Sequence, residues 1–166
     1  MPAAQLSVTE QTKRLIADDK DRIRLDDYVT GLLRNAHQTL SSEVGTPAAV
    51  APTSETFPEH LHRYEDATRD LVHAVILIGR WGNPDHCLLL ERIVSHLATL
   101  TRKASGLPPS QVLGWYPLSE IFYAAGIAGL WACNYWVFKP LFLTPVTSET
   151  NSSTRTPSLV PGIRAE

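Results

Sequence analysis

Apolar residues recur at three- and four-residue intervals along most of this chain, the period of α-helices that bury one face. Leu25, Val29, Leu32, Ala36 and Leu40 form one such stripe and predict a helix from about Leu25 to Ser42. Upstream, Ser7 and Glu10 stand three residues apart, the capping-box spacing, so a short helix is expected from Val8 to Ala17. The charged run from Asp18 to Arg22 separates the two. Leu61, Tyr64, Thr68, Leu71, Val75 and Ile78 make the strongest stripe, with Arg63, Asp66, Arg69 and Asp70 on the other side. Gly79 and Gly82 are expected to stop that helix. Asn83, Pro84 and Asp85 then supply a cap, a first-turn proline and an acid at the positive helix end. The next helix buries Leu90, Ile93, Leu97 and Leu100, wets Glu91, Arg92, Ser95 and Thr99, and ends before Pro108-Pro109.

One segment breaks the pattern. From Ile121 to Phe138, IFYAAGIAGLWACNYWVF, 18 residues carry no charge. As a helix they would span ~27 Å, just short of the ~20 residues a bilayer core requires. Tyr116-Pro117 is the expected start and Asn134 the expected break, giving an apolar helix over about 117–133 and a last short helix over 135–142. Ala124, Ala128 and Ala132 fall in one row and Ala125 and Gly129 in the next, a face of small residues that lets another helix approach closely. The short run, the interruption at Asn134 and the neighbouring stripes, each needing a partner, favour the central helix of a bundle over a membrane span at about 118–138.

No alternating apolar-polar run bounded by turns occurs, so the expected fold class is all-α: a helical bundle of about five to six helices around that central helix. The chain divides into N-terminal helices (1–43), a Pro-rich linker (44–58), a helical core (59–143) and a Ser/Thr/Pro-rich tail (144–166) expected to be disordered.

Composition narrows function mainly by exclusion. The 166 residues suit one domain, and a formal charge of −2 with no basic block argues against nucleic acid. The N-terminus lacks the apolar core of a signal peptide, and Cys87 and Cys133 have no metal or redox spacing, which points to reduced thiols in a cytoplasmic setting. His60 and His62 lie on different helix faces, and His86-Cys87 has no companion ligand; His73 and His96 read as boundary residues. The acids between Asp18 and Asp27 are interleaved with Lys20, Arg22 and Arg24 and match no calcium loop. Gly126 and Gly129 lie inside a helix, unlike a phosphate-cradling loop. No catalytic constellation, cofactor site or metal site is therefore expected.

Three stretches carry a likeness: Arg24-Leu25-Asp26-Asp27-Tyr28-Val29, Arg80-Trp81-Gly82, and Trp115-Tyr116-Pro117 leading into Tyr123-Ala124-Ala125-Gly126 and Asn134-Tyr135. Together they resemble the helical region that follows the catalytic domain in some bacterial sirtuin-like and related conflict-system (defence) proteins, over roughly residues 15 to 143. The resemblance implies an accessory module rather than an enzyme, because the chemistry in such proteins resides in an upstream α/β domain.

The expectation is thus a non-enzymatic module that associates with a protein partner or with itself. Trp81, Trp115, Leu141 and Phe142 are the candidate contacts, and Ala124, Ala125, Ala128, Gly129 and Ala132 the helix-packing face. The alternative is a small-molecule-binding or enzymatic bundle with Tyr64, His73, Trp81 and Trp115 lining a pocket. A membrane-anchored accessory protein is third.

Overall fold

Ser7 and Glu10 interlock as their spacing predicts. The Ser7 amide and hydroxyl both donate to Glu10 Oε2, at 3.2 and 2.9 Å, while the Glu10 amide donates back to Ser7 Oγ. This box opens α1 (Val8–Ala17) in the computed structural model, which describes residues 6–17, 22–44, 53, 55–103 and 108–144. There follow α2 (Arg22–Val44), α3 (Phe57–Trp81), α4 (Cys87–Lys103), α5 (Pro108–Trp131) and α6 (Phe138–Leu143), with one-turn 3-10 helices at Pro84–His86 and Tyr135–Val137. Among the described residues there is no strand, and the fold is an all-α bundle of six helices. The expected tail from 145 onward and most of the 44–58 linker lie outside the described residues.

Caps behave as the side chains dictate. Ahead of α3, Thr53 and Thr56 exchange amide-to-hydroxyl bonds of 2.9 and 3.3 Å. Ahead of α4, Asn83 Oδ1 accepts from the Asp85 amide, and the Asn83 amide donates to His86 Nδ1, both at 3.0 Å. The imidazole fills the place a Glu takes in the usual box, so His86 is a buried structural cap.

Two boundaries depart from the pattern, each because packing outweighs a local signal. Gly79 does not stop α3, which runs two residues further to Trp81. Without a Cβ, Gly79 is the point where α5 comes closest: a Cβ there would stand 3.2 Å from the Ala125 carbonyl oxygen and from Ala128 Cβ. Pro117 does not start α5 either; the helix begins at Pro108 and carries Pro117 inside it. The rung lost at Pro117 is offset by burial of Leu113, Leu118 and Ile121 around it. The apolar helix ends at Trp131, close to the expected break at Asn134, and the uncharged run is not one helix. No helix among the described residues is long and apolar enough to cross a membrane, and the span at 118–138 is thereby corrected.

That end is a Schellman turn. The Asn134 amide bonds to the Gly129 carbonyl and the Cys133 amide to that of Leu130, with Cys133 in the left-handed region at φ 56°. A side chain there costs about 1 kcal/mol, so Cys133→Gly is expected to raise the unfolding free energy by about that amount in a denaturant titration.

Leu25, Leu40, Leu71, Ile78, Leu90, Ile93, Leu97, Ile121 and Leu141 are all essentially sealed from water at the centre. Tyr116 bonds to Glu65, Glu120 to Thr68, and Asn134 to Gly79, so partners climb both helices in the same direction: α3 and α5 run parallel. Asn134 Nδ2 donates to the carbonyls of Gly79 and Arg80, both at 3.0 Å, closing the end of α3 with a side chain from beyond α5.

Candidate functional site: the outward face of α5

The apolar residues of α5 point in two directions. Leu113, Leu118, Ile121, Ala125 and Ala128 turn inward and are buried, while Val112, Tyr123, Ile127, Leu130 and Trp131 turn outward with more than half their surface in water. A helix apolar all round is normally covered all round. Here α5 packs against α3, α4 and α6 as the central helix of the bundle, yet only one of its two apolar stripes is covered. Its two stripes cancel, leaving no single amphipathic face.

The outward side is also uncharged. Glu120 is the one ionisable carboxylate or base of α5 and it is drawn toward α3, where Thr68 Oγ1 donates to it at 2.6 Å. Beside Ile127 a groove of about 290 Å³ opens between α3 and α5, floored by Ala124 and Ala128 and walled by Ile76, Arg80, Ile127 and Trp131.

Of the expected packing face, Ala125, Ala128 and Gly129 are buried and Ala124 and Ala132 half-buried. Ala125 and Ala128 meet Gly79 of α3, whereas Gly129 lies under Val137 and the Asn134 carbonyl. The expected contacts separate. Leu141 is fully buried beside Gly126, which corrects its assignment as an accessible contact; the apolar run past Lys139 folds back and seals itself. Phe142 stays 40% exposed while meeting Phe122 edge-on and Phe138 in a stack. Two cations lie over the Trp81 ring, Lys13 Nζ at 4.9 Å and Arg80 Cζ at 4.8 Å from its centre, and the first of them ties α1 to the end of α3. Trp81 and Trp115 do not share an end of the bundle: Trp115 adjoins Tyr116, which bonds to Glu65, ~24 Å down α3 from Trp81. Tyr64 is buried, His73 exposed, and ~13 Å of helix separates them. The four residues of the alternative pocket do not meet.

Two polar groupings escaped the sequence reading. His37 of α2 meets His96 of α4 edge-on, ring centroids 4.5 Å apart, placing His96 against a neighbour rather than on an open face. No third ligand joins them, and among the described residues no cluster of His, Cys, Asp and Glu suits a metal ion. The second is a seam between α3 and α5. His62 Nδ1 lies 2.9 Å from Glu65 Oε2, Tyr116 donates to Glu65 Oε1 at 3.2 Å, and Thr68 to Glu120. The hydrogen bond from His62 holds the Glu65 carboxyl below its ordinary value. Burial, with Glu120 and Glu65 nearby, pushes Tyr116 up to about 12, so it stays neutral.

Glu120 itself is raised above its ordinary value near 4.5, chiefly by burial, against the pull of the Thr68 hydroxyl. The folded chain then holds this proton more tightly than the unfolded one. The contribution of Glu120 to stability is greatest below pH 4.5 and declines as the pH climbs past that value. Glu120→Gln keeps the acceptor for Thr68 and removes the titration. Its unfolding free energy relative to the parent is expected to rise between pH 4 and pH 7, read by urea titrations at both.

One signal for the outward face lay in the sequence: Val112, Tyr116, Ser119, Tyr123, Ile127 and Leu130 repeat at three- and four-residue steps opposite the buried stripe. No family model, no curated protein and no solved structure matches this chain.

Proposed function

We propose that this chain is a non-enzymatic helical module that works by association, holding a protein partner or a second copy of itself against the outward face of α5. The observation that carries the reading is the uncharged stripe of Tyr123, Ile127, Leu130 and Trp131, each exposed by more than half on a helix with no polar face of its own. Leaving such a stripe in water forgoes roughly 1.5–3 kcal/mol for each large side chain that a partner would cover. The accessory role implied by the likeness to conflict-system proteins, in a bacterial cytoplasm and beside a separate effector domain, belongs to the same proposal.

The test is recovery of the tagged chain, parent and Ile127→Glu, from host cells that also express a second, differently tagged copy, scoring both that copy and any other protein retained. The parent is expected to retain bound protein that the variant loses, with equal thermal midpoints because Ile127 is 64% exposed. Identical recovery from both would remove the α5 face from function.

A further inference from the structure

The occupant of that face can be named from its register. Taking Ile127 as the centre, the large Leu130 lies three residues after it and the small Ala124 three before; Trp131 lies four after and Tyr123 four before. In an antiparallel contact across a two-fold axis, a position n residues after the centre meets the one n residues before it on the other copy. Leu130 of each copy would then enter the hollow above Ala124 of the other, a groove of about 290 Å³ with room for a leucine side chain. Tyr123 would face the other copy's Trp131, and Ile127 would meet itself. Large against small and ring against ring is the condition for a surface to complement itself.

Charge points the same way. A two-fold contact sets every charge opposite its like, and residues 121–138 carry none. The neighbouring charges are held by other groups: Glu120 is bonded to Thr68, and Arg80, which walls the groove, rests its guanidinium over the Trp81 ring. A face shaped for a foreign partner would be free to carry charges of either sign.

We propose that two copies of this chain pair through α5 packed antiparallel on α5, with Ile127 on the two-fold axis. This rests on the association reading above and commits it to a homodimer. The exposed parts of Tyr123, Ile127, Leu130 and Trp131 offer on the order of 600 Å² per copy, about 1,200 Å² in all, the lower edge of stable specific interfaces. The dimer is therefore expected to dissociate in the micromolar range.

Sedimentation of the full chain from roughly 1 to 200 µM is expected to show a monomer–dimer equilibrium, weakened about 100-fold by Ile127→Glu, which brings two carboxylates together at the axis. Leu130→Ala, exposed and free of new charge, should weaken it as well. In a Cys87→Ser, Cys133→Gly background, Ile127→Cys is expected to form an interchain disulfide under mild oxidation. Val112→Cys is not, since 15 residues of helix place it ~22 Å from the axis. A monomer at every concentration, a dimer indifferent to Ile127→Glu, or equal cross-linking at 112 and 127 would each overturn the pairing. The association reading fails separately, when Ile127→Glu leaves unchanged the recovery of the second copy and of every other protein; a monomer that still retains another protein through Ile127 overturns the pairing alone.

Discussion

Gly79→Leu is expected to lower the unfolding free energy by about 3 kcal/mol, read as a fall in the denaturant midpoint at unchanged slope. At this position an added Cβ would stand 3.2 Å from the Ala125 carbonyl oxygen and from Ala128 Cβ, so the further carbons of leucine would crowd α5 more. The backbone cannot retreat cheaply, because the carbonyls of Gly79 and Arg80 are both held by Asn134 Nδ2. Gly79→Ala separates the effects. Its single methyl requires a shift of a few tenths of an ångström, offset by the ~1 kcal/mol of helix propensity that alanine gains over glycine, so that variant should be near neutral. A large loss for leucine beside a small change for alanine identifies the close approach of α3 and α5 as the cause.

Leu141→Ala is expected to cost about 2–5 kcal/mol, and Phe142→Ala, one residue away, much less. Leu141 has no exposed surface, whereas Phe142 keeps 40% of its own. The six residues of α6 are too few to hold a helix alone, so α6 stays in place through the side chains it buries against α4 and α5. Removing Leu141 uncovers Gly126 and the surface of α4 together. Equal losses at 141 and 142 would mean that α6 is held as much by the edge-on contact of Phe142 with Phe122.

Most of the architecture was written in local spacing. The Ser7–Glu10 box, the stripes of α2 and α3 and the Asn83 cap each depend on residues within a few positions of one another, and each formed where the sequence placed it, except that α2 buries Leu33 in place of Leu32. What misled was punctuation whose meaning depends on distant atoms. Gly79 signals a stop on its own, but beside Ala125 and Ala128 it is the thin point of a helix crossing. Pro117 resembles a first-turn proline, yet Leu113 and Leu118 on either side are buried deeply enough to carry the helix through it.

The candidate site was legible in part. The lack of charge from Ile121 to Phe138 marked the region, and the second stripe on α5 could have been counted. Which stripe would be covered depended on how far α3, α4 and α6 reach around α5, and no local pattern encodes that. Burial of Leu141 follows from the turn at Cys133 and Asn134, where a non-glycine residue takes the left-handed conformation that glycine usually supplies.

The parallel course of α3 and α5 also bears on how the chain folds. Two parallel helices cannot form a hairpin, and their bonds join residues 51 to 55 apart, so α4 must reverse the chain before any of them can close. For a helical protein this is a high contact order, and the loop-closure entropy comes due before those contacts offset it. Folding is accordingly expected to be slower than in a bundle of the same length held only by contacts between helices adjacent in sequence. In native-state hydrogen exchange, α3, α4 and α5 should open as one cooperative unit, with α1 and α6 exchanging ahead of them.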